Sequence, residues 1–137
     1  MSKIEEKIWT KVPSKKVWKA WANSRQWKTA DSSKKQSVFR EGGKGHVVAG
    51  NKKPFPFKIC NIVQGKSFTI QWGFSLVKML YCYRIEEERK GTNIFCTVKF
   101  RGLLGFFVGL IIKEKVRKNL LHSLNQFVFE LEHGRPV

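Results

Sequence analysis

The chain has 137 residues, 27 of them Lys or Arg and 10 Asp or Glu, for a formal charge of +17. With 42% hydrophobic and 13% aromatic residues it can bury a core, so full disorder is excluded, and its length fits one domain over 1–137. Asp31 is its one Asp, so chemistry built on clustered carboxylates, such as a two-metal site, starts without its ligands.

Residues 4–12 alternate loosely through Ile4, Ile8, Trp9 and Val12 and predict a first strand. Pro13-Ser14 then opens a helix with Val17, Trp18, Ala20, Trp21 and Ala22 on its apolar side. Proline suits that position because the N–H it lacks would be unpaired there anyway. A second short helix or turn carries Trp27, and residues 31–35 read as loop. From Gln36 to Arg101 the pattern is strand after strand: 37–40, 45–50, 55–63, 67–72, 78–88 and 94–101. Turns fall at Asn51-Lys52-Lys53-Pro54, Gln64-Gly65-Lys66 and Lys90-Gly91-Thr92-Asn93. Short turns between consecutive strands mean antiparallel pairing.

The end of the chain changes period. Leu120, Leu121, Leu124, Phe127, Val128 and Leu131 form one stripe of an amphipathic helix reaching from Leu103 to Glu132, about eight turns. Its first turns are apolar nearly all round. The expected fold is therefore α+β: a curved antiparallel sheet of about seven strands wrapped around a long C-terminal helix, with two short helices after the first strand.

This order resembles the START-like helix-grip (SRPBCC) superfamily, in particular its polyketide cyclase/dehydrase and lipid-transport-like branch. The resemblance runs from about Ile4 to Leu131. Its carriers are KVPSKKVWKAWAN (11–23), VQGKSFTIQW (63–72), YRIEEERKGTNIFCTVKFRG (83–102) and LLGFFVGLIIKEKVRKNLLHSLNQF (103–127). It implies a cavity between sheet and long helix that takes hydrophobic ligands. It implies function more loosely, because one fold serves carriers, sensors, cyclases and co-chaperone-like domains.

In such a cavity the wall would comprise Phe68, Ile70, Trp72, Tyr81, Tyr83 and Phe100, faced by Phe106 and Leu110 from the helix. Aromatic walls with a few hydroxyls suit a flat or extended apolar ligand. The same bulky residues could instead pack into a filled core. Lys113 falls on the centre line of the helical stripe with Gly102, Phe106 and Gly109. An inward ammonium there would anchor the carboxylate or phosphate of an amphiphile, with Arg117 assisting. The alternative is that Lys113 snorkels to solvent. Gly102, Gly105 and Gly109 read either as a mobile gate or as close packing against the sheet.

Catalytic and metal-binding residues are not expected. His46, His122 and His133 lack a positioned partner, and Glu86-Glu87-Glu88 reads as a wet strand end. Cys60, Cys82 and Cys96 lie in apolar alternating runs and read as inert buried thiols, with no zinc spacing and no disulfide framework. No cofactor is expected. The function expected is binding or carriage of a small hydrophobic or amphiphilic ligand. The alternatives are a cyclase- or dehydratase-like enzyme, or a basic module for nucleic acid, anionic membrane or a protein partner.

Lysines are scattered over every segment, so the charge reads as a solvated coat rather than a specific nucleic-acid reader. It is compatible with weak contact with an anionic membrane surface. The N-terminus lacks a signal-peptide apolar region, and no apolar run is long enough to span a bilayer, so a cytoplasmic setting is expected.

Overall fold

The described residues form six strands and two helices: β1 (Lys3–Thr10), α1 (Ser14–Ala22), β2 (Lys44–Val47), β3 (Phe55–Val63), β4 (Ser67–Phe74), β5 (Val77–Glu88), β6 (Gly91–Arg101) and α2 (Gly105–Glu132). The computed structural model describes residues 3–23, 39–47, 55–74, 77–102 and 104–134. Residues 46, 47, 55, 74, 77, 105, 106 and 108 are described by their backbone alone.

The strands form one antiparallel sheet in the order β1-β6-β5-β4-β3-β2. The chain meanders from β2 to β6, and β1 closes the far side by pairing with β6. Period-2 alternation decides which residues face inward. Across the register, Ile70, Tyr81, Val98 and Ile4 make one inward row, and Trp72, Met79 and Phe100 make the next.

Among the described residues there are six strands where about seven are expected. The expected strand at 37–40 lies partly outside the described residues, and Phe39–Arg40 is irregular. The expected helix or turn at Trp27 also lies outside them. One short helix, α1, is described after β1.

The β5–β6 turn is one residue earlier than expected. Arg89 and Lys90 take left-handed backbone, with φ of 42° and 62°, which matches the twist of a two-residue hairpin. Gly91 is already strand. A Cβ there would run into the Thr10 carbonyl and the Trp9 ring, so glycine serves close approach to β1 rather than the turn.

A second irregularity bends β3. Asn61 has a φ of 54°, and the register shifts between Cys60 and Val63. The Glu41 carboxylate accepts hydrogen bonds from the backbone N–H groups of Asn61 (2.9 Å) and Ile62 (3.0 Å). The donors released by the bulge are thereby satisfied.

α1 begins where expected, with Pro13 at its cap, and buries Val17, Trp18 and Trp21. α2 is 28 residues long, about 42 Å at 1.5 Å per residue. It packs on β1, β6 and β5. Its inner face buries Val116, Leu120, Leu124 and Val128. The far end is tied down: the Thr10 hydroxyl donates to the Glu132 carboxylate at 2.7 Å, while Thr92 donates to the Val12 carbonyl at 2.7 Å. Among the described residues, no helix is long and apolar enough to cross a membrane.

Candidate functional site

The inward side of the grip has two parts, a filled aromatic cluster and a second group of side chains packed against the same core. The filled part lies under α1. Trp21 stacks on Phe127 of α2 (centroids 5.7 Å apart) and meets Phe68 edge-on at 5.1 Å. Phe68 also stacks on Tyr83 at 5.2 Å and meets Phe39 edge-on at 5.0 Å. Edge-to-face and offset contacts at these distances are the favourable aromatic geometries. Of the expected ligand wall, Phe68 and Tyr83 therefore belong to a close-packed aromatic cluster.

The second part lies further toward the start of α2. Its inward rows hold Ile70, Trp72, Met79, Tyr81 and Phe100, of which Trp72, Met79 and Tyr81 are only half-buried. Phe57 leans on Trp72, with centroids 5.2 Å apart. The helix closes on this region at Gly109, where an added Cβ would sit 2.9 Å from the Phe100 ring. Close packing is thus the role of Gly109. Gly102, with φ of 97°, makes the bend between β6 and α2 that only glycine adopts readily.

Lys113 lies one turn beyond Gly109 and one turn before the buried Val116, and it is half-buried itself. Among the described lysines only Lys78, Lys99 and Lys113 are not exposed. Lys78 and Lys99 alternate with the inward Met79, Val98 and Phe100, so they belong to the convex face. Lys113 is the half-buried lysine on the inner side of the grip, and among the described residues it has no ion-pair partner.

Arg117, one turn further, is engaged. Its Nε is 3.5 Å from Glu6 Oε1 and its Nη1 is 3.7 Å from Glu114 Oε1. The Nε is buried without a well-aligned hydrogen bond, so the link to Glu6 is mainly Coulombic. Glu6 was not foreseen as a functional residue. It sits opposite Cys96 in the β1–β6 register, on the inward side.

Leu110 does not face the sheet. It is 59% exposed, on the outer side of α2. By helical phase it is equivalent to Val128, eighteen residues later, which is buried. The difference is the cover: Trp21 of α1 and the end of β1 meet the far end of α2, whereas at the near end Gly109 packs on Phe100 of β6 and Leu110 stays exposed. The side chain of Phe106 lies outside the described residues.

The inward hydroxyls and the inward thiol hold their protons. Burial, then the neighbouring Cys96, pushes Tyr81 up to about 12. Burial raises Tyr83 well above the ordinary phenol value, reinforced by the nearby Cys96 and Tyr81 and by its hydrogen bond to Cys96. Burial likewise raises Cys96, partly opposed by the bond from Tyr83. Near neutral pH these groups can donate hydrogen bonds but cannot supply a phenolate or thiolate.

The carboxylates at the end of β5 make structural contacts. Glu87 accepts from the Ser14 hydroxyl at 2.6 Å, Glu88 accepts from the Asn93 amide, and Glu86 pairs with Arg84 at 2.7 Å. His122 and His133 are exposed, and the His46 side chain lies outside the described residues. Cys96 is buried as expected, whereas Cys60 and Cys82 are half-buried, and all three are free thiols. Among the described residues no group of His, Cys, Asp and Glu could hold a metal ion. Outside the grip, a shallow cleft of about 440 Å³ crosses the convex face over Thr69, Cys82 and Thr97, edged by charges of both signs.

No protein-family model and no curated protein matches the sequence. Solved structures do match it. DynU16, a protein in the dynemicin biosynthetic locus, superposes with a TM-score of 0.75 at 16% identity over 99% of this chain. That match covers 49% of DynU16, so the chain spans about half its length. An Arthrobacter aurescens protein superposes at 0.73 with 14% identity, covering 98% of this chain and 89% of that one. The Aha1 dimer from Colwellia psychrerythraea gives 0.56 with 18% identity, over 88% of this chain and 93% of that one. At these identities the likeness is one of fold, and the fold, an open antiparallel sheet closed by a long C-terminal helix, is the helix grip.

Proposed function

We propose that this domain is a non-catalytic carrier or sensor of a small amphiphile. The apolar body of the ligand lies between the half-buried rings of Trp72 and Tyr81 and the first half of α2, and its anionic head group meets Lys113. The observation that carries this reading is the placement of Lys113: half-buried, on the inner side of the helix, and without an acidic partner among the described residues. A desolvated ammonium gains most from an anion that reaches it through a charge-assisted hydrogen bond. Tyr81 retains its proton and suits the role of a second donor to a carboxylate or carbonyl oxygen. The likeness to DynU16 supports a fold able to take ligands of this kind.

Native mass spectrometry of the purified protein, followed by titration with a fluorescent fatty acid, tests the proposal. The expected result is a retained or readily bound amphiphile whose affinity falls about tenfold or more in Lys113→Met. A ligand of the same shape without the carboxylate should bind both proteins alike. Unchanged fatty-acid affinity in Lys113→Met removes the anchor. Failure of every apolar or amphiphilic probe to bind removes the carrier.

A further inference from the structure

The outer face at the start of α2 is apolar and exposed. Leu104 is 48% exposed, Phe107 61%, Leu110 59% and Ile111 81%. At 100° per residue these four fall within one arc of about 120°, with Leu110 at its edge nearest the sheet. Isolated exposed apolar residues are ordinary, but four within two turns form a patch. The same face continues in Lys115 and Lys118, one and two turns beyond Ile111 and both exposed, while Arg101 is exposed just before the helix. Glu114 also lies on this side, with its carboxylate 3.7 Å from Arg117.

We infer that this face is a docking surface for an anionic lipid bilayer. Leucine, isoleucine and phenylalanine at the leading end of a helix, followed on the same ridge by lysines, are the composition of a segment that lies at a membrane interface. The apolar turns sit among the upper acyl chains, and Arg101, Lys115 and Lys118 reach the lipid phosphates. Charge selects this occupant over a second copy of the chain, because each copy brings +17 to the contact. It also selects anionic over neutral lipid. Nucleic acid would meet the positive charge, but three of the four patch residues, Leu104, Leu110 and Ile111, are aliphatic and leave Phe107 as the one patch ring able to stack on a base. Contact stays at the surface, since no described helix can cross the bilayer.

The test is flotation of the whole protein with vesicles of phosphatidylcholine alone and of phosphatidylcholine with one quarter phosphatidylglycerol. Three variants are compared: Leu110→Ser/Ile111→Ser, Lys115→Gln/Lys118→Gln, and the control Lys44→Gln/Lys58→Gln, which removes the same charge from the opposite edge of the sheet. The altered residues are exposed, and thermal melting confirms that each variant is folded. The expected result is binding to the anionic vesicles only, about tenfold weaker in both α2 variants and near wild-type in the control. Three results would overturn the proposal: no binding to anionic vesicles, equal loss in the control and the lysine variant, or full binding by the serine variant. A wild-type dimer that the serine variant dissociates would overturn it as well, by making the face a contact between copies.

Discussion

The two halves of α2 belong to one continuous helix yet live in different surroundings. The C-terminal half is clamped on three sides. Leu120, Leu124 and Val128 are buried against the sheet, Phe127 stacks on Trp21 of α1, and Glu132 accepts from Thr10 at the end of β1. The N-terminal half touches β6 through Gly109 and leaves Leu104, Leu110 and Ile111 exposed. The first two turns, residues 105–112, are the most apolar stretch of the helix and carry no charged residue. Hydrophobicity therefore does not decide which half forms the core. What decides is where other elements arrive to cover it, and the first apolar turns are left uncovered at Leu104, Leu110 and Ile111.

Mutations can break this contrast. Trp21→Ala should cost most, about 3–5 kcal/mol by urea denaturation, because it removes the ring joining α1, Phe68 and Phe127. Gly109→Ala should destabilise by about 1–3 kcal/mol although alanine is the better helix former. The new methyl would meet the Phe100 ring close to its backbone, where little can move. A gain in stability would show that the first half of α2 is not seated on β6.

Alkaline titration probes the floor between the halves. Tyr81 has its folded value raised to about 12 from an ordinary value of 10, so between those pH values the unfolded chain loses a proton that the folded chain keeps. Stability is then intact below pH 10 and should fall by about 1 kcal/mol per pH unit from 10 to 12, a fall that Tyr81→Phe should reduce. Thr10→Val should cost about 1 kcal/mol by removing the hydrogen bond to Glu132, read as faster amide exchange at the end of α2. Smallest of all, Ile111→Ser should change stability by less than about 0.5 kcal/mol. A loss comparable to that of Trp21→Ala would mean that both halves are core.

Local patterns revealed most of the fold. Alternation located β3 to β6 to within a few residues, Pro13 marked the start of α1, and the stripe from Leu120 to Leu131 located the inner face of α2. The same phase placed Lys113 inward. Leu110 was misplaced because a helical wheel records direction but not what stands opposite: Leu110 and Val128 point the same way and meet different neighbours. Glu6 went unnoticed because its importance depends on β1 pairing with β6, a non-local contact that no local period encodes. Phe68 and Tyr83 had the right orientation for a cavity wall. Their inclusion in the aromatic cluster depends on Trp18 and Trp21 arriving from α1.

The strand order has a consequence for how the molecule is made. β1 pairs with β6 from Lys3↔Lys99 to Thr10↔Thr92, so each of its partners lies 82 to 96 residues downstream. During synthesis β1 must wait while β3, β4 and β5 pair as hairpins with their sequence neighbours. Joining ends so far apart carries the larger loop-closure entropy. Loop-closure entropy favours the hairpins as the early contacts and late docking of β1, with the bond between Thr10 and Glu132 forming only once β1 is in place. Until then the growing chain exposes a bare β6 edge beside apolar inward residues, and its large positive charge keeps such half-made copies apart.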